Sequence, residues 1–138
     1  YVYVAQVALG ANPAQTVKVI AEAEAYNGPS LIIGYAPCEL HGIKGGMNHC
    51  QNEMKAAVKS GYWNLFSFNP ALKAEGKNPF TLTSKPGDGS YKDFLNNETR
   101  YSRLQRSFPE RAEKLYSDSE KAAAERYEHL LKLVELYK

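Results

Sequence analysis

The chain has 138 residues, of which 43% are hydrophobic and 23% charged, enough for one domain with a real core and too little for two independent ones. A net charge of +2 and a pI near 8.5 provide no strong basic field, so composition does not point to nucleic acid. No apolar run approaches the ~20 residues of a membrane helix. Two cysteines do not make a secreted disulfide framework, so a reducing, cytoplasmic compartment is the expectation.

Residues 1–9 are rich in Val, Tyr and Ala and read as a first strand. The chain opens in that pattern with neither Met nor a signal-peptide pattern, and is read as a piece of something longer. Gly10-Ala11 turns it. Asn12 then suits a helix N-cap, with Pro13 at the first helical position and Gln15 in the capping-box place. Val17, Ile20, Ala21 and Ala25 are expected to share a buried face, with Lys18 and Glu22 outward. Asn27-Gly28 reads as a left-handed cap. Residues 30–36 form a short apolar run between Gly28-Pro29 and Pro37, the pattern of a strand covered on both faces. Strand, helix, strand predicts a right-handed crossover and a parallel pair.

Cys38 falls just past that strand, where open α/β sheets place their ligand crevice. Three readings stand for it. It is a structural residue near a buried strand; or a thiolate beside a helix entry, suited to a nucleophile or a metal; or one ligand of an iron–sulfur cluster. Cys38 and Cys50 are the only thiols, so a 4Fe–4S cluster would need ligands from elsewhere. Cys38, His41, His49 and Cys50 are zinc-ligand types, but His49 and Cys50 are adjacent on an expected helix, about 100° apart, and aim poorly at one ion. A Cys38–Cys50 disulfide runs against a reducing compartment. His41 reads as a turn histidine, and no catalytic triad is visible. The Gly42-Ile-Lys-Gly45-Gly46 run is neither a Walker loop nor a dinucleotide fingerprint.

Because Gly45 and Gly46 each cost about 1 kcal/mol in a helix, the next helix is expected to begin near Met47, with Met47, Met54, Ala57 and Val58 toward the core. Residues 61–68 read as a third strand whose Trp63 and phenylalanines pack inside, with base or ring stacking as the alternative. Residues 73–84 are loop-like around the extended Phe80-Thr-Leu-Thr83. Asp88 sits in a turn, not a metal motif. Short helical pieces follow at 91–95 and 101–104. Ser107-Phe-Pro-Glu110 reads as a capping box opening a helix that runs almost to Lys138. Ala112, Leu115, Tyr116, Ala123, Tyr127, Leu130, Leu131 and Val134 form its apolar stripe. The stripe is thin in the middle, which suggests an arm lying against a partner or another domain.

Ala23-Glu-Ala-Tyr26, Gly28-Pro-Ser-Leu-Ile-Ile33, Tyr35-Ala-Pro-Cys38, His41-Gly-Ile-Lys44, Gly61-Tyr-Trp63, Gly76-Lys-Asn-Pro-Phe80 and Arg106-Ser-Phe-Pro109 occur in one order. Together they resemble the carboxyl-terminal part of pyruvate:ferredoxin (flavodoxin) oxidoreductases, from Tyr1 to at least Glu110 and more loosely along the final helix. The resemblance implies the end of a thiamine-diphosphate-binding α/β domain with a mainly parallel sheet, over residues 1–106, then a helical arm over 107–138. It implies a parent enzyme, homodimeric, that decarboxylates pyruvate on thiamine diphosphate with Mg²⁺, forms acetyl-CoA, and passes electrons through 4Fe–4S clusters to ferredoxin or flavodoxin. Cys38 would be one of four ligands to the cluster nearest the thiamine, and no residue of this chain is given a catalytic role. The family's Gly-Asp-Gly motif and remaining cluster cysteines lie upstream of Tyr1. Cys50 has no usual counterpart, and Glu39-Leu40 replaces the more usual Ile-Asn. The rival expectation is a non-catalytic segment that closes the sheet and docks a neighbouring domain or subunit; a relative using another 2-oxo acid is a third.

Overall fold

The computed structural model describes residues 1–138. Strand β1 (Tyr3–Val7) alternates as a strand with one covered face should, with Tyr3, Ala5 and Val7 buried. Helix α1 (Pro13–Ala25) starts as its sequence predicts, with the Asn12 side chain accepting from the Gln15 amide at 2.9 Å. The reciprocal half of the capping box is missing, because Gln15 Nε2 donates to the Gln6 carbonyl at 3.3 Å instead. The buried face is also not the expected one. Gln15, Thr16 and Val19 face the sheet, while Val17 is 65% and Ile20 47% exposed. The inward stripe continues to Ala23 and meets Tyr3, Ala5 and Val7. The helix ends at Tyr26 in extended backbone, with no left-handed cap.

Strand β2 (Ser30–Gly34) pairs parallel to β1, from Tyr3↔Ser30 to Val7↔Gly34, as the strand–helix–strand pattern implies. It is not covered on both faces: all of its residues are exposed, with Leu31 at 51%, Ile32 at 37% and Ile33 at 40%. In the strand order β2-β1-β3-β4, β2 is also the outermost strand, with a neighbour on one side only. Strands β3 (Phe66–Phe68) and β4 (Phe80–Leu82) both pair antiparallel, β3 with β1 and β4 with β3. The α/β class holds, but the sheet is mixed rather than mainly parallel. The short β3–β4 link carries only the single turn of α3 (Ala71–Ala74), too little for a parallel crossover.

The third strand is shorter than expected because residues 61–65 wrap the end of helix α2 (Cys50–Lys59). Trp63 N donates to Ala57 O at 3.0 Å, and the indole Nε1 to Val7 O at 2.9 Å. Phe66 stacks on Phe80 at 5.5 Å, so these aromatics are packing residues.

Three helices complete the chain: α4 (Tyr91–Asn97), α5 (Thr99–Ser107) and α6 (Pro109–Leu136). The Ser107 capping box does not form. Ser107 closes α5, and Phe108 occupies the N-cap of α6 without a side-chain bond. Pro109 does open the helix, which at 28 residues is about 42 Å long. The larger core cluster joins Ala57 to Tyr91, Phe94 and Leu95 of α4 and to Ala112, Tyr116 and Ala123 of α6. The first half of α6 is therefore a wall of the core. Its far end reaches the β3–β4 hairpin, where Asn78 Nδ2 donates to Val134 O at 2.8 Å and Tyr137 lies 5.3 Å from Phe68. Lys73 Nζ caps this corner, 4.9 Å from the Tyr1 ring centre and 5.1 Å from that of Tyr137.

Candidate cofactor-ligand turn

Beyond β2 the ladder extends one residue, with Tyr35 N donating to Val7 O at 3.0 Å, before the buried Pro37 ends it. Cys38 follows in a turn closed by the Gly42 amide on the Cys38 carbonyl at 2.8 Å. Gly42 has φ +72°, a conformation that side chains oppose, and a Cβ there would touch nothing within 4 Å. Its requirement is thus conformational, not spatial.

Cys38 is a free, half-buried thiol, and its Sγ lies 3.0 Å from Nδ1 of His41. The tautomer decides the direction: a bare Nδ1 accepts S–H, whereas Nδ1–H donates to a thiolate sulfur. His41 and Leu40 are exposed, so the turn turns a thiol and an imidazole toward the outside. No group of three or more His, Cys, Asp or Glu lies within reach of one metal ion, so His49 and Cys50 do not complete a set with this pair. The expected helix entry beside Cys38 is displaced. Turns at 39–46 and a 3₁₀ turn (Met47–His49) separate it from α2, which starts at Cys50. Asp88 is a turn residue, accepting from the Ser90 amide at 3.0 Å and facing Lys59 at 3.3 Å. Ser90 is the main cause of a carboxyl held below its ordinary value.

Both flanks of the Cys38 turn are anchored to the α4–α5 junction. Tyr35 Oη donates to Glu98 Oε1 at 2.5 Å, and its ring packs 5.8 Å from Trp63 and 6.2 Å from Phe94. On the other flank the buried Ile43 pairs with Glu98 in an antiparallel bridge, and Lys44 N donates to Asn97 O at 2.9 Å. Glu98 is 6% exposed, and a second carboxyl, Glu53, is 3% exposed. Asn97 Nδ2 donates to Glu53 Oε2, while Glu53 Oε1 is buried without a partner. Burial pushes the Glu53 carboxyl above its ordinary value; the Asn97 bond opposes this and the Glu98 carboxylate adds to it. Burial, and then Glu98, likewise hold the Tyr35 hydroxyl protonated.

Sequence reasoning brought Cys38 and His41 to attention but not their contact, and it passed over Glu53 and Glu98. A signal for Glu53 exists, since it lies four residues before Ala57 on the inward stripe of α2. For Glu98, at a break between helices, periodicity offers none.

No protein-family model matches the chain. It is 52% identical over 135 residues to the "Pyruvate:ferredoxin oxidoreductase" of Moorella thermoacetica, covering 98% of this chain and 11% of that protein. It is 50% identical over 133 residues to the "Pyruvate-flavodoxin oxidoreductase" of Enterobacter agglomerans, covering 96% of this chain and again 11% of the other. With the mitochondrial "Pyruvate dehydrogenase (NADP+)" of Euglena gracilis it shares 47% over 133 residues, 94% of this chain and 7% of that protein. The chain spans about a tenth of the length of these curated relatives. By homology it belongs to the pyruvate:ferredoxin (flavodoxin) oxidoreductases, as the counterpart of one segment of those much longer proteins.

Proposed function

We propose that this chain is the segment of a pyruvate:ferredoxin (flavodoxin) oxidoreductase that supplies Cys38 as one thiolate ligand of a 4Fe–4S cluster beside thiamine diphosphate. The observation that carries the reading is a free, half-buried thiol on a turn anchored at both flanks, just past the carboxyl end of β2. The relatives' names supply pyruvate as substrate and ferredoxin or flavodoxin as electron carrier. On this reading the whole enzyme is a cytoplasmic homodimer that turns pyruvate and CoA into acetyl-CoA and CO2 with thiamine diphosphate and Mg²⁺.

The residues fit the cluster as a single donor, not as a full set. Iron–sulfur clusters usually take four thiolates, and here one sulfur lies beside His41 with no group of three or more ligand side chains around it. The remaining three ligands come from outside this chain. When bound, the cluster would carry single electrons away from the cofactor that reacts with the 2-oxo acid. The chain's own part is to present Cys38 Sγ deprotonated, to hold the sulfur's direction through the closed turn, and to offer His41 Nδ1–H as a hydrogen-bond donor to it. Cys50 opens a helix and Asp88 is engaged by Ser90 and Lys59, and this reading assigns neither a ligand role.

Iron content and visible absorbance of the full-length enzyme, purified without oxygen, test the ligand role. Cys38→Ala is expected to lose one cluster's worth of iron, about four atoms, with little loss of folding. Unchanged iron in a stably folded variant would make Cys38 an ordinary turn residue. The bare apolar strand β2 favours a second reading, in which the segment acts as scaffold between domains or subunits. Cluster content would then survive Cys38→Ala, and truncation after Arg106 would do the damage.

A further inference from the structure

The Cys38 turn is tied at both flanks to one short stretch of chain. Before the turn, the Tyr35 hydroxyl reaches across 63 residues of sequence to Glu98 Oε1 at 2.5 Å. After it, Ile43 pairs with Glu98, Thr99 N donates to Gly42 O at 3.3 Å, and Lys44 N to Asn97 O at 2.9 Å. Glu98 thus contributes its side chain to one flank and its backbone to the other.

A carboxylate in this place is costly. Glu98 and Glu53 are both buried, and burying an unpaired charge opposes folding strongly. No cation is bonded to either. Lys44 and His49, both exposed, share with Glu53 an open cavity of about 340 Å³, and neither makes an ion pair with it. Tyr35 and Tyr62 face the pair from the other elements. An apolar side chain at 98 would pack against the same aromatic cluster without this cost, but it could not accept from Tyr35.

We infer that Glu98 is a positioning residue for Cys38, its side chain held against Tyr35 and its backbone bridged to Ile43 so that the turn between them points Sγ in one direction. Burial raises the Glu53 carboxyl above its ordinary value, and Glu98 Oε1 is the acceptor for Tyr35. The significance of this clamp for electron transfer rests on the ligand reading of Cys38; the clamp itself is a property of the turn.

The test uses the full-length enzyme purified without oxygen, carrying Glu98→Ala, Glu98→Gln or Tyr35→Phe, with Cys38→Ala alongside. Amide hydrogen exchange is followed across residues 36–42 and, as a reference, 91–95, and the cluster's midpoint potential is measured. Glu98→Ala and Tyr35→Phe are expected to speed exchange at 36–42 about tenfold, the effect of one net hydrogen bond, and to leave 91–95 unchanged. Both should shift the potential. Glu98→Gln should restore exchange and potential, because an amide oxygen still accepts from the phenol. Unaltered exchange at 36–42 would overturn the clamp. Equal acceleration of both stretches would reduce Glu98 to a packing residue, and a Gln variant as loose as the Ala variant would remove the hydrogen bond as the cause. If Glu98→Ala does not yield folded enzyme, Tyr35→Phe decides alone, since it deletes a single hydroxyl. Full iron in Cys38→Ala would end the ligand reading and leave the exchange result to judge the clamp.

Discussion

Cys38 Sγ and His41 Nδ1 lie 3.0 Å apart within one turn. Were Cys38 to bind a cluster as proposed, an Nδ1–H tautomer would donate to the coordinated sulfur. Such a bond favours the more negative, reduced cluster and so raises its potential. His41→Ala is therefore expected to lower the midpoint potential by on the order of tens of millivolts while leaving iron in place. A potentiometric titration followed by electron paramagnetic resonance checks this, and an unmoved potential would show that the imidazole does not bond the sulfur.

Glu53 makes stability depend on pH with a definite sign. Burial, and then Glu98, raise its carboxyl in the folded chain against the pull of Asn97. The folded state therefore keeps a proton that the unfolded chain releases once pH passes the ordinary carboxylate range. That contribution is complete below this range and is lost as pH rises toward the folded value. Glu53→Gln keeps an acceptor for Asn97 and abolishes the titration. Its urea midpoint relative to the parent should move in its favour as pH rises above the ordinary carboxylate range. A constant difference would mean that Glu53 ionises in the fold as it does in water.

The larger core depends on α6. Leu95 is 1% exposed and Ala112 is fully buried against the same cluster. Leu95→Ala should cost about 2–5 kcal/mol, a large share of ordinary domain stability. Truncation after Arg106 removes Ala112, Tyr116 and Ala123 together and uncovers Tyr91 and Phe94. Thermal melts by circular dichroism should show a lowered midpoint for the first and no cooperative transition for the second. A cooperative melt of the truncated chain would show that α6 is dispensable.

Strand β2 carries Leu31 and Ile33 on one face and Ile32 on the other, all exposed, beside a free backbone edge. Such an edge recruits other strands. Sedimentation velocity of the chain by itself should show concentration-dependent association, and Leu31→Lys should reduce it with little change in the melt, since Leu31 is already 51% exposed. Identical sedimentation of the two would clear the edge of this role.

Local signals were legible in the sequence where one residue decides one bond. Asn12 caps α1, Pro13 and Pro109 open their helices, and the strand–helix–strand order yields the parallel β1–β2 pair. What failed was set by neighbours distant in sequence. The buried stripe of α1 is chosen by β1, so that Val19 goes in while the equally apolar Val17 stays out. The apolar run of β2 reads as doubly covered, yet all of its residues are exposed within this chain. Strands β3 and β4 join antiparallel because of a short connection whose path no periodicity records. At the candidate site Cys38 was visible by type and position. The carboxylate that anchors its turn was not, because Glu98 lies at a break between two helices, where no periodicity marks a residue as buried.

The Lys73 ammonium, shared by the rings of Tyr1 and Tyr137 at 4.9 and 5.1 Å, brings the first residue beside the penultimate one. The order in which the elements are joined is thereby separable from the way they pack. A flexible glycine and serine linker matched to the gap would join Lys138 to Tyr1. New ends opened between the exposed Gly76 and Lys77 would then leave every strand pairing intact. In that circular permutant β4 becomes the first strand of the chain and β3 the last, with the Cys38 turn unchanged between them.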